Sequence, residues 1–459
     1  MGFYKDMLGK RQKNSVLFHM VWPIVIELIV NGFISNLNQV IINDFSSDAL
    51  ATIGSGSQIL VLIINLYAIV WVGVSIVMAQ AVGGKRYEEC SKIINVALVM
   101  NLVLGVAISL VGILSIPLLL RLIHMPKELE EFAKQYLLIT IGFSFIQAIL
   151  NTLTAVFRSF GHMKKVTLTL ISVNLLNLLF TKIVSTCVPE SSQNLMYYTI
   201  TGVIAQSIGI ILFLRMLYRD KVISFTLSIK EGFINSRKII SRILRLGIPG
   251  GLEGIIYLIS QTIVVGFIGI LGTQAMFTKA IVGNVTYYMS MATATITTAA
   301  GAIIGQLIGA GKIEEVKLSC KKNMKLIIGI TIPLCIVLML FGQNILRIYT
   351  DDAAVINIAI KLLQLGIFME IARGIAANMI TALKAVGDVD FPFLIIIFAS
   401  IINIFVSYYL GIYLKMGLSG IWIGYIAELI LRGVACVIRW KKGKWENIAL
   451  YYIGETNSK

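Results

Sequence analysis

Four glutamates, Glu27, Glu253, Glu370 and Glu428, lie inside long apolar runs of a 459-residue chain. A carboxylate at bilayer depth is costly unless it is paired, hydrated or protonated, so each is a functional candidate by default. Each sits about 10 to 15 residues into its run, near the bilayer midplane at about 1.5 Å of rise per residue. The chemistry open to such groups is reversible capture of a proton or a small cation. Glu370 has Arg373 three residues on, and Glu428 has Arg432 four residues on. Both spacings put the pair on one helical face, where a glutamate tends to stay ionised and structural. Glu428 and Arg432 are therefore read as a structural ion pair. Glu370 keeps both readings, structural and ion-coupling, because its run also carries Asn378. Glu253 has no basic residue near it in sequence, and an unpartnered buried carboxyl suits an ion carrier. Glu27 is a second functional candidate of the same kind. For both of these the alternative is a cap or an interhelical hydrogen bond.

Uncharged polar residues extend the set. Asn38, Gln39, Asn151, Asn174, Asn177 and Asn403 lie deep enough to face protein or a cavity, as do Asn378 and Arg373. Such residues are more often helix-to-helix hydrogen bonds than ligand contacts.

The elements that must hold these groups follow from composition. The chain is 57% apolar and 14% charged, against about 25% charged in soluble domains. Apolar runs long enough to cross a hydrocarbon core recur over 15–43, 53–83, 92–119, 130–157, 165–187, 195–217, 243–271, 277–308, 323–345, 355–383, 391–414 and 418–440. Lipid cannot satisfy open backbone groups, and continuous rather than alternating apolar runs select helices over a barrel. The expected fold is an all-α integral membrane protein with 12 transmembrane helices.

A repeat organises these spans. Pro23 and Glu27 return as Pro249 and Glu253, a separation of 226 positions. Gln80, Gly83, Glu88 and Glu89 return as Gln306, Gly309, Glu314 and Glu315, Leu120 and Arg121 as Leu346 and Arg347, and Gly161 and Asn177 as Gly387 and Asn403, without drift. The expected organisation is two pseudo-symmetric six-helix bundles. Residues 1–218 form a first lobe, 219–242 a basic cytoplasmic connector, and 243–459 a second lobe with a short basic tail. Six spans return the chain to its starting side, so the lobes share one orientation about an axis along the membrane normal. The connector segment from Ser236 to Leu246 mixes basic and apolar residues at helical spacing, as a surface-lying helix does. A plain solvated linker is the other reading.

Charge gives an expected topology. The net charge is +16, and with both termini in the cytosol about 29 of the 39 basic residues fall on the inner side. Facing anionic inner-leaflet lipid accounts for that excess, and nucleic acid is not an expected partner. The expected location is a bacterial-type inner or plasma membrane, and the expected state a monomer. The start is polar and basic, and the first apolar run lacks a small-residue cleavage site, so it is read as a retained helix. Five cysteines at irregular spacing give no disulfide framework. His19, His124 and His162 lie too far apart for a metal site. The glycine-rich stretch Gly305–Lys312 has the wrong spacing for a P-loop, and Ile313 follows its lysine. Neither an enzyme nor a cofactor is expected, and energy would come from an ion gradient.

Several stretches resemble the multidrug and toxic compound extrusion (MATE) family. They are Asp48-Ala-Leu-Ala-Thr-Ile-Gly54, Ala79-Gln-Ala-Val-Gly-Gly84, Phe157-Arg-Ser-Phe-Gly161, Gly247-Ile-Pro249, Gly305-Gln-Leu-Ile-Gly-Ala-Gly311 and Leu383-Lys-Ala-Val-Gly-Asp388. The resemblance implies a V-shaped pair of six-helix bundles that exports organic cations or amphipathic drugs in exchange for H+ or Na+. Many relatives carry aspartates on the first span and four residues after the fifth-span asparagine, where this chain has Asn38 and Thr181. The family also uses acids on the seventh and tenth spans, which here implies ion coupling through Glu253 and Glu370 with Glu27 assisting. The alternative is a flippase for a lipid-linked saccharide, which would favour extra helices and a basic cavity. A receptor or scaffold is disfavoured by the lack of a sizeable soluble domain.

Overall fold

The computed structural model describes residues 13–45, 47–122, 125–187, 195–220, 225–228, 230 and 236–457. His124 and ten residues of the expected connector (221–224, 229 and 231–235) lie outside the described residues. The chain is built from helices α1 (Lys13–Phe45), α2 (Ser47–Gly83), α3 (Tyr87–Leu114), α4 (Ile116–Leu122), α5 (Glu130–Gly142), α6 (Ser144–Ser159), α7 (Met163–Cys187) and α8 (Leu195–Tyr218). It continues with α9 (Arg237–Ile270), α10 (Thr273–Gly309), α11 (Ile313–Arg347), α12 (Ala353–Val386), α13 (Asp390–Val406), α14 (Leu418–Lys441) and α15 (Lys444–Asn457). A π-helical stretch, Ser407–Tyr413, extends α13.

Among the described residues 11 helices are long and apolar enough to cross a membrane, or 12 if one bent pair counts as a single span. That pair is Lys127–Gly142 with Ser144–Ser159, bent by 44°. The sequence reads there as one unbroken run, and the structure corrects it at Phe143. A bend frees backbone carbonyls that lipid cannot satisfy. The Ser109 hydroxyl on α3 donates to the carbonyls of Ile141 and Gly142 at 2.9 and 3.1 Å, and Ser144 donates back to Ile141 at 2.8 Å.

The residues cluster into two compact units, Met1–Gly251 and Leu252–Lys459. The same neighbours recur in each. The second span packs on the third and fourth, the fourth on the third and sixth, and the fifth on the sixth. One apolar core gathers Tyr67, Leu137, Ile141 and Leu195 in the first unit, and another gathers Val264, Val282, Leu362 and Ile421 in the second. The sequence reading starts the second lobe at 243, but the first turns of α9 belong with the first unit. Gly73 and Gly247 explain this, since a Cβ on either would collide with the backbone carbonyl of Ile243 or Ile69 respectively. The segment from Ser236 to Leu246 is thus the start of a continuous helix that packs on α2.

Helix ends repeat as faithfully as helix neighbours. After α2 and α10 the chain closes with an amide that reaches back five residues, from Arg86 to Ala81 and from Lys312 to Leu307. The ends of α6 and α12 close the same way, His162 to Phe157 and Asp388 to Leu383. This closure needs a left-handed residue, usually glycine. Gly161, Gly311 and Gly387 supply it with φ of 78°, 72° and 98°. The fourth position is Lys85, with φ 58°. A left-handed non-glycine residue costs about 1–2 kcal/mol. Lys85→Gly is expected to stabilise the protein by about 1 kcal/mol and Gly311→Lys to destabilise it by a similar amount. Melting of both variants in detergent checks this, and a lower melting temperature for Lys85→Gly would contradict it.

Candidate functional site

The second unit buries a chain of charges of alternating sign. On α12 the Nε of Arg373 donates to Glu370 at 3.2 Å, and Ser290 on α10 approaches the same carboxylate at 3.4 and 3.5 Å. Glu428 of α14 accepts from Asn403 of α13 at 2.8 Å and faces the Arg432 guanidinium at 3.5 Å. Arg432 in turn donates to Glu253 of α9 at 2.9 Å. The second oxygen of Glu253 is paired with Lys384, in the last turn of α12. Further along α14, Arg439 clasps Asp388 through two bonds of 2.8 and 3.3 Å. Glu428, Arg432, Glu253 and Lys384 form a continuous run of alternating sign, and with the Glu370–Arg373 and Asp388–Arg439 pairs the eight charges cancel.

Helical periodicity is what assembles this column. Glu428, Arg432 and Arg439 recur at spacings of four and seven and so share one face of α14. Glu370, Arg373 and Lys384 do the same on α12, at spacings of three and eleven. The glycine closure at Gly387 fixes Lys384 in the final turn and turns the chain so that Asp388 follows directly. Close approach of α13 and α14 lets Asn403 reach Glu428. A Cβ on Gly424 would collide with the Ser407 hydroxyl, and that hydroxyl donates to Asn403 Oδ1 at 3.0 Å.

The first unit keeps one link of the column. Arg158, in the last turn of α6, donates to Glu27 of α1 at 2.7 Å, and Thr167 of α7 donates to the other oxygen at 3.3 Å. Glu27 and Arg158 are the counterparts of Glu253 and Lys384 at the 226-residue offset. The remaining links are neutral. Ser144, Gln147, Gly202 and Gln206 stand where the second unit has Glu370, Arg373, Glu428 and Arg432. His162 stands at the position of Asp388. Burial pushes its imidazole below the usual range, Lys165 adds to this and Asp220 opposes it. A neutral ring therefore replaces an anion at neutral pH.

The other polar candidates separate from the charges. Asn177 Oδ1 accepts from Thr201 at 3.0 Å, and Thr201 also bonds Thr181 at 3.2 Å. Asn174 donates to Asn31 at 2.9 Å, and Asn151 accepts from Gln147 at the same distance. Asn378 donates to the carbonyl of Cys320 at 3.3 Å, which ties α12 to α11. Asn38 has a buried Oδ1 without a hydrogen-bond partner. The five cysteines are free, and among the described residues no three His, Cys, Asp or Glu side chains are placed to hold a metal.

The sequence profile of the MatE family matches this chain twice, over residues 23–183 and 249–409. Both the starts (23 to 249) and the ends (183 to 409) are displaced by 226 positions, the register that pairs Glu27 with Glu253. The chain belongs to the MatE family. Among its relatives, the uncharacterized transporter YisQ of Bacillus subtilis is 29% identical over 94% of this chain and 95% of its own length. A probable multidrug resistance protein NorM of Thermotoga maritima is 22% identical over 97% of both chains. Among solved structures, the Vibrio cholerae MATE transporter VcmN in its bent form superposes with a TM-score of 0.84 at 19% identity, covering 95% of this chain and 98% of that one. A MOP superfamily transporter from Pyrococcus furiosus gives 0.83 at 19% identity, covering 94% and 96%.

Within this MatE chain the structure corrects one expectation and refines another. Glu253 is not an unpartnered carboxyl: Lys384 and Arg432 both meet it. Its partners are remote in sequence, so local spacing could not show them. Nor do Glu428 and Arg432 form a closed pair, because the shorter bond of Arg432 goes to Glu253. Lys384 and Arg158 went unrecognised as site residues. The signal for them was present in Phe157-Arg158-Ser-Phe-Gly161 and Leu383-Lys384-Ala-Val-Gly387, which place a cation three residues before a helix-ending glycine in both repeats. The stability consequences follow from these links. Glu428→Gln leaves Arg432 its shorter bond, to Glu253, whereas Glu253→Gln takes the carboxylate from Lys384 and leaves Arg432 only its longer contact with Glu428. Breaking a buried pair costs about 3–5 kcal/mol, reduced here because Lys384 is partly exposed. Glu253→Gln is expected to lower the melting temperature more than Glu428→Gln, and adding Lys384→Gln to Glu253→Gln to restore part of the loss. Equal melting of the two single variants would refute this arrangement.

Proposed function

We propose that this chain is a secondary antiporter that exports small amphipathic organic compounds, organic cations among them, by alternating access in exchange for H+ or Na+. The observation that carries the reading is Glu253 held between two cations inside a membrane-spanning unit. The names of relatives such as NorM, a probable multidrug resistance protein, support the export of drugs. The protein acts as a monomer in the plasma membrane, with both termini in the cytosol and no cofactor beyond the coupling ion.

The charge column gives the coupling a physical basis. Protonating Glu253 leaves Lys384 and Arg432 with a net charge that the low-dielectric interior does not tolerate. Arg432 already has a second acceptor in Glu428, 3.5 Å away against 2.9 Å for Glu253. A small shift of the guanidinium passes it from one carboxylate to the other. Lys384, near the end of α12, can turn to water. These changes act on α9, α12 and α14 together, the helices a rearrangement of the unit would move. Breaking a fully buried link costs about 3–5 kcal/mol, and this one less because Lys384 is partly exposed, so it supplies part of the roughly 5.5 kcal/mol needed to reverse a 1:99 equilibrium. A sodium ion would act by the same logic, competing with Lys384 and Arg432 for the Glu253 carboxylate. Glu370 with Arg373 forms a separate pair in the same unit, and Glu27 with Arg158 forms a matching single link in the first repeat.

Ethidium efflux from proteoliposomes under separately imposed H+ and Na+ gradients tests the proposal. One gradient is expected to drive export. Glu253→Gln combined with Lys384→Gln, which strands one charge fewer than Glu253→Gln alone, is expected to fold and to lose gradient-driven export by at least tenfold. Wild-type export by this folded double variant would remove Glu253 from the coupling role. If neither gradient moves ethidium and a fluorescent lipid-linked saccharide is translocated instead, the flippase reading replaces this one.

A further inference from the structure

We infer that the charge column borders a water-filled cavity whose accessible face is cationic, and that the transported compound carries an anionic group on an apolar body, received by Arg373. This rests on the transporter reading above and adds an anionic amphiphile, received at a separate site, to the compounds it exports.

In each membrane ion pair of the second unit the cation is the more exposed member. Arg373 is 27% exposed and Glu370 1%, Arg432 is 12% and Glu428 2%, and Lys384 is 20% against 11% for Glu253. Long basic side chains do reach for water from helix ends, and this accounts for Lys384 in the last turn of α12. It does not account for Arg373. That residue lies 13 positions before the end of α12 at Val386, about 20 Å along the axis, which is further than an arginine side chain extends. A guanidinium exposed at that depth faces either lipid or water, and lipid is the costly choice. The exposed part of Arg373 therefore opens on a hydrated cavity.

The remaining chemistry of Arg373 selects the ligand. Its Nε is committed to Glu370 at 3.2 Å. A guanidinium has five N–H donors, so donors remain in the planar fork that grips carboxylate, sulfonate or phosphate oxygens. The carboxylates that would attract a purely cationic solute lie behind their own cations: Glu370 behind Arg373, and Glu428 behind Arg432. A solute cation entering this side meets like charge first, which disfavours it. An amphiphile with an anionic head meets the guanidinium directly. A free solute and a lipid headgroup share this chemistry.

The test is equilibrium binding of tritiated taurocholate and of lysophosphatidic acid, both below micelle-forming concentrations, to the purified full chain in phosphatidylcholine nanodiscs. Saturable binding of at least one probe is expected, with no competition from ethidium. Arg373→Gln should weaken it at least tenfold, and Arg373→Lys should retain part of it. The double variant Glu370→Gln with Arg373→Gln strands no charge. It should melt within a few degrees of wild type and still lose binding, which separates a lost anion site from unfolding. Adding phosphatidylglycerol to the nanodisc distinguishes the sources: displacement of the probe identifies a lipid headgroup, and its absence a free solute. No saturable binding of either probe, or unchanged binding in the folded double variant, overturns the inference. Ethidium export without anion binding sinks the inference and leaves the transporter reading standing. Anion binding without any gradient-driven transport does the reverse.

Discussion

Charge inside a membrane must be neutralised where it stands, and the second unit meets that constraint with a chain instead of isolated pairs. Arg432 lies between Glu253 and Glu428, and Glu253 lies between Arg432 and Lys384. Each inner member thus answers two neighbours of opposite sign. Such a set is cheap only while intact, because removal of one charge exposes its neighbours to the full cost of burial. The geometry of three helices follows from it. α9, α12 and α14 must hold their registers to within a fraction of a helical turn for the signs to alternate. The small residues between elements, Gly424 against Ser407 among them, let backbones approach closely enough for side chains as short as asparagine to join in.

The two repeats put the same architecture to different uses. At the offset that relates Glu27 to Glu253, the first unit keeps the end link to Arg158 and replaces the other column positions with neutral residues. Its fourth span also bends beside Ser144, the counterpart of Glu370. An unbroken α12 is what brings Glu370, Arg373 and Lys384 onto one face. The bent α5–α6 pair carries no column and instead satisfies its freed carbonyls through Ser109 and Ser144. Charge and an unbroken helix go together in one unit, neutrality and a bend in the other.

The sequence shows its architecture plainly, and the site only where partners are local. Long apolar runs announce the spans, because lipid leaves the backbone no alternative to helix. The 226-residue register announces the repeat through Pro23, Glu27 and Gly161 and their counterparts. Glu370–Arg373 and Glu428–Arg432 are legible because three- and four-residue spacings fix a shared face. Glu27–Arg158 spans 131 positions, and no periodicity within a helix reports on such a pair. The bend at Phe143 is hidden for a related reason. No proline marks it, and of the two serines that support it one, Ser109, comes from another helix.

The repeat itself could have supplied the missing partners. Two glutamates kept in register within one chain ask for compensating charges that are also in register. Among basic residues beside a helix-ending glycine, Arg158 and Lys384 meet that condition at the offset of 226. Gly161 and Gly387 make the match structural, since a left-handed closure three residues on fixes the direction in which the last turn projects its side chain. A backbone rule thereby becomes an electrostatic one. The glycine sets where the helix stops, the stop sets where the cation points, and the cation makes it affordable to bury a glutamate on a helix more than a hundred residues away.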